Sequence, residues 1–162
     1  MSDLALARTL HVLGVVLWIG GVAFVTLVLL PALRALPAAK SGAAQPGVFE
    51  VLERRFAAQA RWTTQLTGLS GLYMVWRLDL WSRFADPAYW WMDAMVLVYL
   101  LFTLLLFVLE PLAHRRVASR AARDPVGTQR RILWMHRVLL AASLATIAGA
   151  VAGSHGWLIG RG

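Results

Sequence analysis

The sequence contains no cysteine and little charge, and both absences narrow what the chain can be. Without cysteine there are no disulfides, thiolate metal sites, iron–sulfur ligands or cysteine nucleophiles. Only 15% of the 162 residues are charged, against about 25% in an average soluble domain, whereas 59% are hydrophobic. The composition therefore excludes a disordered chain and disfavours a soluble globule, and the length suggests one domain.

Four long apolar segments account for this composition, at about residues 10–30, 62–78, 89–112 and 132–159. Each is close to or above the ~20 residues that an α-helix needs to cross a hydrocarbon core of ~30 Å. The second is the most polar, but its hydroxyl groups can bond within a helix or to a neighbouring helix. No internal repeat is evident. The pattern predicts an all-α fold, an integral membrane four-helix bundle that forms a single domain over residues 1–162.

Acidic residues are scarce, at 8 against 16 lysines and arginines, and the basic excess is concentrated in two connections. Residues 32–61 carry five basic residues and residues 113–131 carry six, whereas residues 79–87 carry one arginine and two aspartates. The positive-inside rule therefore predicts a multi-pass inner-membrane protein with both termini on the outer, periplasmic side. A short amphipathic helix at about residues 48–60 is expected at the inner surface. This topology explains the basic charge without nucleic acid as a partner.

Tryptophan is abundant, with eight in the chain. Trp81, Trp90, Trp91 and Trp157 fall at the predicted outer boundary of the apolar segments. Trp is enriched at membrane–water interfaces, so these residues are expected to form an aromatic belt.

Small residues follow one face of the first apolar segment. His11, Gly14, Trp18 and Gly21 are spaced three, four and three residues apart, which places them on one helical stripe. Small residues allow another surface to approach closely, and that surface is either a neighbouring helix or a flat cofactor. Similar small-residue stripes in the second and fourth segments contain Thr64, Gly68, Gly71, Gly149 and Gly153.

The four histidines are the main candidates for a functional site. The predicted topology sorts them into an outer pair, His11 with His155, and an inner pair, His114 with His136. The 19 residues between His136 and His155 correspond to about 28 Å of helix rise, so the two pairs lie near opposite membrane faces. Imidazole binds iron, copper and zinc, although a histidine near a helix end can also be a purely structural residue.

Haem fits this histidine pattern best. A four-ligand zinc site is difficult to build without cysteine, whereas the porphyrin itself supplies four ligands to haem iron. We therefore predict one or two b-type haems with bis-histidine ligation. Gly14 and Trp18 would line the site beside His11, and Arg61 and Arg137, near the inner end, are the expected partners of the propionates.

The segment HVLGVVLWIGG at residues 11–21 resembles the first span of the CopD-like and HemJ-type four-helix integral membrane proteins. The run ERRF at residues 53–56, before a Thr- and Gly-rich second span, is also similar. The resemblance implies haem b binding, with His11 as the first-span histidine and His114 as the histidine at the end of the third span. It also implies protoporphyrinogen oxidation, from the HemJ-type proteins, or copper transport, from the CopD name.

Together these observations predict electron transfer within the inner membrane, with a quinol or a small redox protein as partner. Three alternatives stay open: a haem-dependent oxidoreductase of the protoporphyrinogen oxidase type, a CopD-like copper transport protein, and a cofactor-free assembly or scaffold subunit. The sequence leaves open whether the chain is an enzyme and whether it forms a homo-oligomer. The lipid bilayer is the one partner that the composition itself requires.

Overall fold

The structure is a computed structural model that describes residues 3–35, 46–112, 119–120 and 123–156. Every regular element in these ranges is helical, and they contain no strand, which confirms the all-α prediction. The α-helices are α1 (Asp3–Phe24), α2 (Leu30–Ala35), α3 (Pro46–Arg77), α4 (Trp90–Leu104) and α5 (Pro125–Ser154). Two short 3₁₀-helices, Trp81–Ala85 and Pro87–Tyr89, connect α3 to α4.

The four long helices form a ring of antiparallel neighbours. The most extensive contact joins α1 to α3, the next joins α4 to α5, and smaller contacts between α3 and α4 and between α5 and α1 complete the ring. The direction follows from the contacts along α1, where His11 lies at Thr67 and Gly21 lies at Phe56. Residues 48–60, expected at the inner surface, are part of the continuous helix α3.

Three stretches of the described residues are long and apolar enough to cross a membrane: Asp3–Ala32, Pro87–Leu112 and Pro125–Ser154. Most of the side chains in these stretches are not buried inside the bundle. Outward-facing apolar side chains are what a lipid-facing bundle requires, because lipid rather than protein covers them. The chain is therefore compatible with a multi-pass membrane protein that contacts the bilayer.

Helix α3 is more polar overall, but its hydroxyl side chains between Thr63 and Ser70 point into the bundle. Thr64 and Thr67 are buried, whereas Trp62 and Trp76 are exposed. The Thr67 hydroxyl donates to the Thr63 carbonyl oxygen at 2.8 Å, as a buried hydroxyl within an apolar environment requires. An apolar outer surface and a hydroxyl-rich interior explain how a helix of moderate hydropathy packs among three apolar ones.

The hydrophobic core lies where α1, α4 and α5 meet. The indole of Trp18 packs edge-on against Phe102, with 4.9 Å between the ring centroids. Edge-to-face aromatic pairs of this kind are favourable beyond their buried area. The buried residues of this cluster are Trp18, Ile19, Val22, Phe102, Leu139 and Leu140.

Two of the three membrane stretches, Asp3–Ala32 and Pro87–Leu112, each contain a π-helical segment, Val25–Leu29 and Leu105–Leu109. A proline follows two residues later in both cases, at Pro31 and Pro111. Proline cannot donate a backbone hydrogen bond and clashes with the carbonyl four residues earlier, which lies within the π segment. The wider π turn accommodates this clash, so the helix continues past the proline.

The two halves of the bundle share one architecture. Pro31 and Pro111 are 80 residues apart, and each lies shortly after the π segment that follows the first helix of an antiparallel hairpin, α1–α3 or α4–α5. The π segment after α1 contacts α5, and the π segment after α4 contacts α3. The two hairpins therefore share one order of elements, helix, π segment and returning helix, although the sequence itself shows no evident repeat.

Candidate functional site around His11

Among the histidines that the structure describes, His11 is the one that lies between α1 and α3. Its Nδ1 is 2.9 Å from the carbonyl oxygen of Thr67, and the Ser70 hydroxyl lies 3.4 Å from the same nitrogen. A carbonyl oxygen only accepts hydrogen bonds, so Nδ1 carries the proton and Nε2 carries the lone pair. Nothing among the described residues hydrogen-bonds Nε2. This imidazole is therefore held in one orientation, with its remaining nitrogen free to act as a ligand.

The ring of His11 rests against a glycine of the facing helix. A Cβ atom at Gly71 would lie 3.1 Å from Cε1 and 3.3 Å from Nδ1 of His11. Any larger residue at position 71 would therefore push the ring by at least a few tenths of an ångström. Gly71 is therefore the third element of the His11 environment, after the carbonyl of Thr67 and the hydroxyl of Ser70.

The rest of the α1 stripe also faces neighbouring helices. A Cβ atom at Gly14 would lie 2.5 Å from Thr67 Oγ1, and one at Gly21 would lie 2.7 Å from the Phe56 ring. Trp18, on the same stripe, is buried against Phe102. The space beside Gly14 is thus filled by α3. The sequence allowed either a neighbouring helix or a flat cofactor beside this glycine, and the structure places a helix there.

The other histidines have different surroundings. His155 is exposed at the carboxyl end of α5, where Nδ1 donates to the carbonyl oxygen of Val151 at 2.8 Å. His136 is half-buried near the other end of α5, and its Nδ1 donates to the carbonyl oxygen of Ile132 at 2.9 Å. Both bonds are made within α5 itself. His114, the proposed partner of His136, lies outside the described residues.

The two predicted propionate partners are also in different situations. Arg61 donates from Nε to the carbonyl oxygen of Leu106 at 3.3 Å and from Nη2 to Glu110 at 3.1 Å. The carbonyl of Leu106 belongs to the π segment after α4, so Arg61 joins α3 to that segment. Arg137 is exposed on α5. The structure therefore gives Arg61 a structural partner and leaves Arg137 on the surface.

Three buried polar atoms in the bundle have no hydrogen-bond partner among the described residues: Trp18 Nε1, Thr64 Oγ1 and Thr103 Oγ1. Thr64 and Thr103 belong to the helices α3 and α4, which also meet through the hydrogen bond from Tyr99 to Gln65 and through Arg61. Most of the other buried hydroxyl groups bond a carbonyl of their own helix, as Ser143 and Thr146 do. The interior of the bundle thus contains polar groups, and three of them have no hydrogen-bond partner among the described residues.

The second hairpin has an aromatic ring where the first has His11. Trp91, which is 80 residues after His11, rests on Gly153 of α5 as His11 rests on Gly71 of α3. Trp90 similarly contacts Gly149. Trp91 is buried rather than interfacial, which differs from the aromatic belt that the sequence predicts for it. Trp157 lies outside the described residues.

Comparison with protein-family models, curated proteins and solved structures finds no match to this chain. Within the described residues there is also no group of three or more His, Cys, Asp or Glu side chains that could hold a metal ion. A metal centre built only from protein ligands generally needs three or four such groups.

Sequence reasoning identified His11 but missed the groups that hold it. The Thr67 carbonyl is a backbone atom and carries no signal in the sequence. Ser70 and Gly71 were visible only as part of a polar or small-residue pattern. Their role depends on the antiparallel register of α1 and α3, which a single sequence does not specify.

Proposed function

We propose that this protein binds b-type haem within the membrane and transfers electrons there, with His11 as an axial ligand. The observation that supports this proposal is the His11 imidazole, whose Nδ1–H donates to the Thr67 carbonyl and leaves Nε2 free. Histidines that bind metals usually donate their other ring N–H in this way, which fixes the tautomer and orients the ring. The proposal does not depend on the glycine stripe, because α3 occupies the space beside Gly14.

His155 is the proposed second axial ligand, from the end of α5 that lies with the amino end of α1. His136 and His114 form the proposed second pair at the other end. When bound, haem would supply a one-electron couple to a quinol or a small redox protein. The protein would hold the iron, keep one tautomer of His11 and exclude water through the surrounding apolar helices.

The absorption spectrum of the purified protein tests this proposal. Protein produced with sufficient haem is expected to show a Soret band, α and β bands on reduction, and one or two haems per folded chain, one of them held by His11, in a pyridine haemochrome assay. His11→Ala should lose this haem, and free imidazole should restore part of it, because imidazole can replace the missing ligand but not a merely structural side chain. Leu10→Ala is the matched packing control. A colourless wild-type protein would overturn the proposal.

The variant His155→Ala tests the two-histidine form of ligation. Loss of the same bands is expected if His155 is the second ligand. Unchanged bands and unchanged haem content would show that His155 only caps α5, through its bond to Val151. The haem proposal would then stand on His11 alone.

A cofactor-free scaffold is the second candidate. It is favoured because side chains of neighbouring helices pack against the glycines of the small-residue stripes. Gly14, Gly21, Gly68, Gly149 and Gly153 each receive a side chain from a neighbouring helix. Such interlocking makes a rigid bundle without leaving space for a ligand at those positions. The spectrum separates the two candidates, because a scaffold is colourless. Porphyrin oxidation and copper transport remain alternatives, which the same sample tests by protoporphyrinogen turnover and by copper analysis.

We also propose that both termini lie on the outer side of the inner membrane. One end of the helical bundle is formed by the carboxyl ends of α1 and α4 and the amino ends of α3 and α5. The two basic connections of the sequence join these helix ends. Basic connections are retained in the cytoplasm. A C-terminal alkaline phosphatase fusion is expected to be active, whereas a C-terminal green fluorescent protein fusion should be dark. A bright fluorescent fusion would contradict this orientation.

A further inference from the structure

The amino-terminal third of α5 carries a cluster of exposed arginines around an exposed tryptophan. Arg130 and Arg131 precede Trp134 by four and three residues, and Arg137 follows it by three, so all three arginines lie beside the indole on the helix surface. Trp134 is 68% exposed. We call these four residues the α5 basic cluster. They line an open cavity of ≈ 1010 Å³ together with Gly127, Leu133 and Met135.

The positive charge of this cluster is not neutralised within the described residues. The ion pairs among the described residues join Arg61 to Glu110 and Arg77 to Asp3, and neither involves the α5 basic cluster. The nearest carboxylate along the chain is Asp124, whose Oδ1 accepts the backbone N–H of Gly127 at 2.9 Å and so caps α5. Three guanidinium groups are therefore available to an anion from outside the protein.

The position of the cluster indicates where that anion comes from. Leu133, next to Trp134, is buried in the bundle, whereas Trp134 and Val138 point away from it. The cluster thus lies at the start of the apolar part of a membrane-crossing helix, where an indole typically sits at the level of the lipid headgroups. A guanidinium group matches the geometry of a phosphate oxygen pair.

We propose that the α5 basic cluster binds the headgroup phosphate of an anionic phospholipid, with Trp134 lying against the adjacent part of the lipid. The occupant is a membrane lipid rather than a nucleic acid, because the arginines border apolar side chains that lipid chains cover in the bilayer. Basic pockets beside transmembrane helices are known to bind such headgroups. Arg137 is also an expected partner of a haem propionate, so the test of lipid binding uses Arg130 and Arg131, which the haem proposal does not involve.

Native mass spectrometry of the purified full-length protein tests this inference, with phosphatidylglycerol and phosphatidylcholine as probes. The wild type is expected to retain phosphatidylglycerol selectively. The double variant R130Q/R131Q should weaken that retention roughly 20- to 30-fold, since each basic residue near an anionic surface contributes about fivefold. The matched control is R54Q/R55Q, which removes two adjacent exposed arginines at the same end of the bundle but on α3.

Three results would overturn the inference. An equal loss of phosphatidylglycerol in R54Q/R55Q would show that the total charge of this end, and not the cluster, attracts the lipid. Equal retention of phosphatidylcholine by the wild type would show no recognition of the anionic headgroup. Displacement of the lipid by millimolar inorganic phosphate would show a site for free phosphate instead of a membrane lipid.

Discussion

Gly14→Leu is expected to lower the free energy of unfolding by about 1–3 kcal/mol, the usual cost of overpacking a filled contact. A Cβ atom at this position would lie 2.5 Å from Thr67 Oγ1, 3.3 Å from the Thr67 backbone nitrogen and 3.4 Å from the Thr63 carbonyl oxygen. The closest of these atoms, Thr67 Oγ1, donates a hydrogen bond to the Thr63 carbonyl oxygen, and the two backbone atoms lie just beyond it. A leucine therefore either breaks this hydrogen bond or moves α3 away from α1. Denaturation of the detergent-solubilised protein measures the loss.

Gly20→Leu is the matched control, because no atom lies within 4 Å of a Cβ at Gly20 and the residue is exposed. This substitution is expected to leave stability unchanged or to raise it slightly, since glycine is a poor helix former. Equal losses in the two variants would show that α1 and α3 do not approach as closely as described. Haem per folded protein, measured in the same samples, reports whether the altered spacing also disturbs His11.

Trp18→Ala is expected to cost about 3–5 kcal/mol, because it removes the largest side chain of the core and leaves a cavity beside Phe102. The matched control is Trp62→Ala, since Trp62 is 80% exposed and is expected to face lipid. Thermal unfolding of both variants in the same detergent gives the comparison. Similar midpoints for the two variants would contradict the placement of Trp18 in the core.

Trp18→Phe separates the contribution of the indole's volume to stability from the contribution of its N–H group. Trp18 Nε1 has no hydrogen-bond partner among the described residues. Replacing the indole by a phenyl ring therefore removes an unsatisfied donor along with some volume, and a loss smaller than about 1.5 kcal/mol is expected. A loss as large as that of Trp18→Ala would indicate that Nε1 has a partner in the folded membrane protein.

The helical architecture could be predicted from the sequence because lipid imposes a strong and local constraint. A run of about 20 apolar residues is recognisable without any knowledge of its neighbours. Helix α3 was harder, since its hydroxyl groups lower its average hydropathy. Only the structure shows that Thr64 and Thr67 point inward while Trp62 and Trp76 point outward.

The π segments could not be predicted, although both prolines were visible. Proline at position 31 or 111 is compatible with a helix end, a kink or a wider turn. Which of these forms depends on packing, here on the contacts of Val25–Leu29 with α5 and of Leu105–Leu109 with α3. Arg61 illustrates the same limit, because its partner is a carbonyl oxygen of the second π segment.

The candidate site was predicted only in part. The sequence ranked His11 above the other histidines because of its place on a small-residue stripe, and the structure places its ring between two helices. It could not distinguish the surroundings of His155 from those of His11, since depth along a helix does not determine exposure. The small-residue stripes were ambiguous for a physical reason: close approach of a helix and of a flat cofactor demand the same side chains.

The two hairpins share one order of elements but differ at the position where a ring rests on a glycine. In one hairpin this ring is the imidazole of His11, which offers a lone pair, and in the other it is the indole of Trp91, which carries only a donor N–H and a hydrocarbon surface. A ligand bound at His11 therefore has no counterpart at Trp91 unless that indole leaves its place. At these two corresponding positions the bundle therefore offers one ring lone pair and not two, and the second hairpin contributes only packing there.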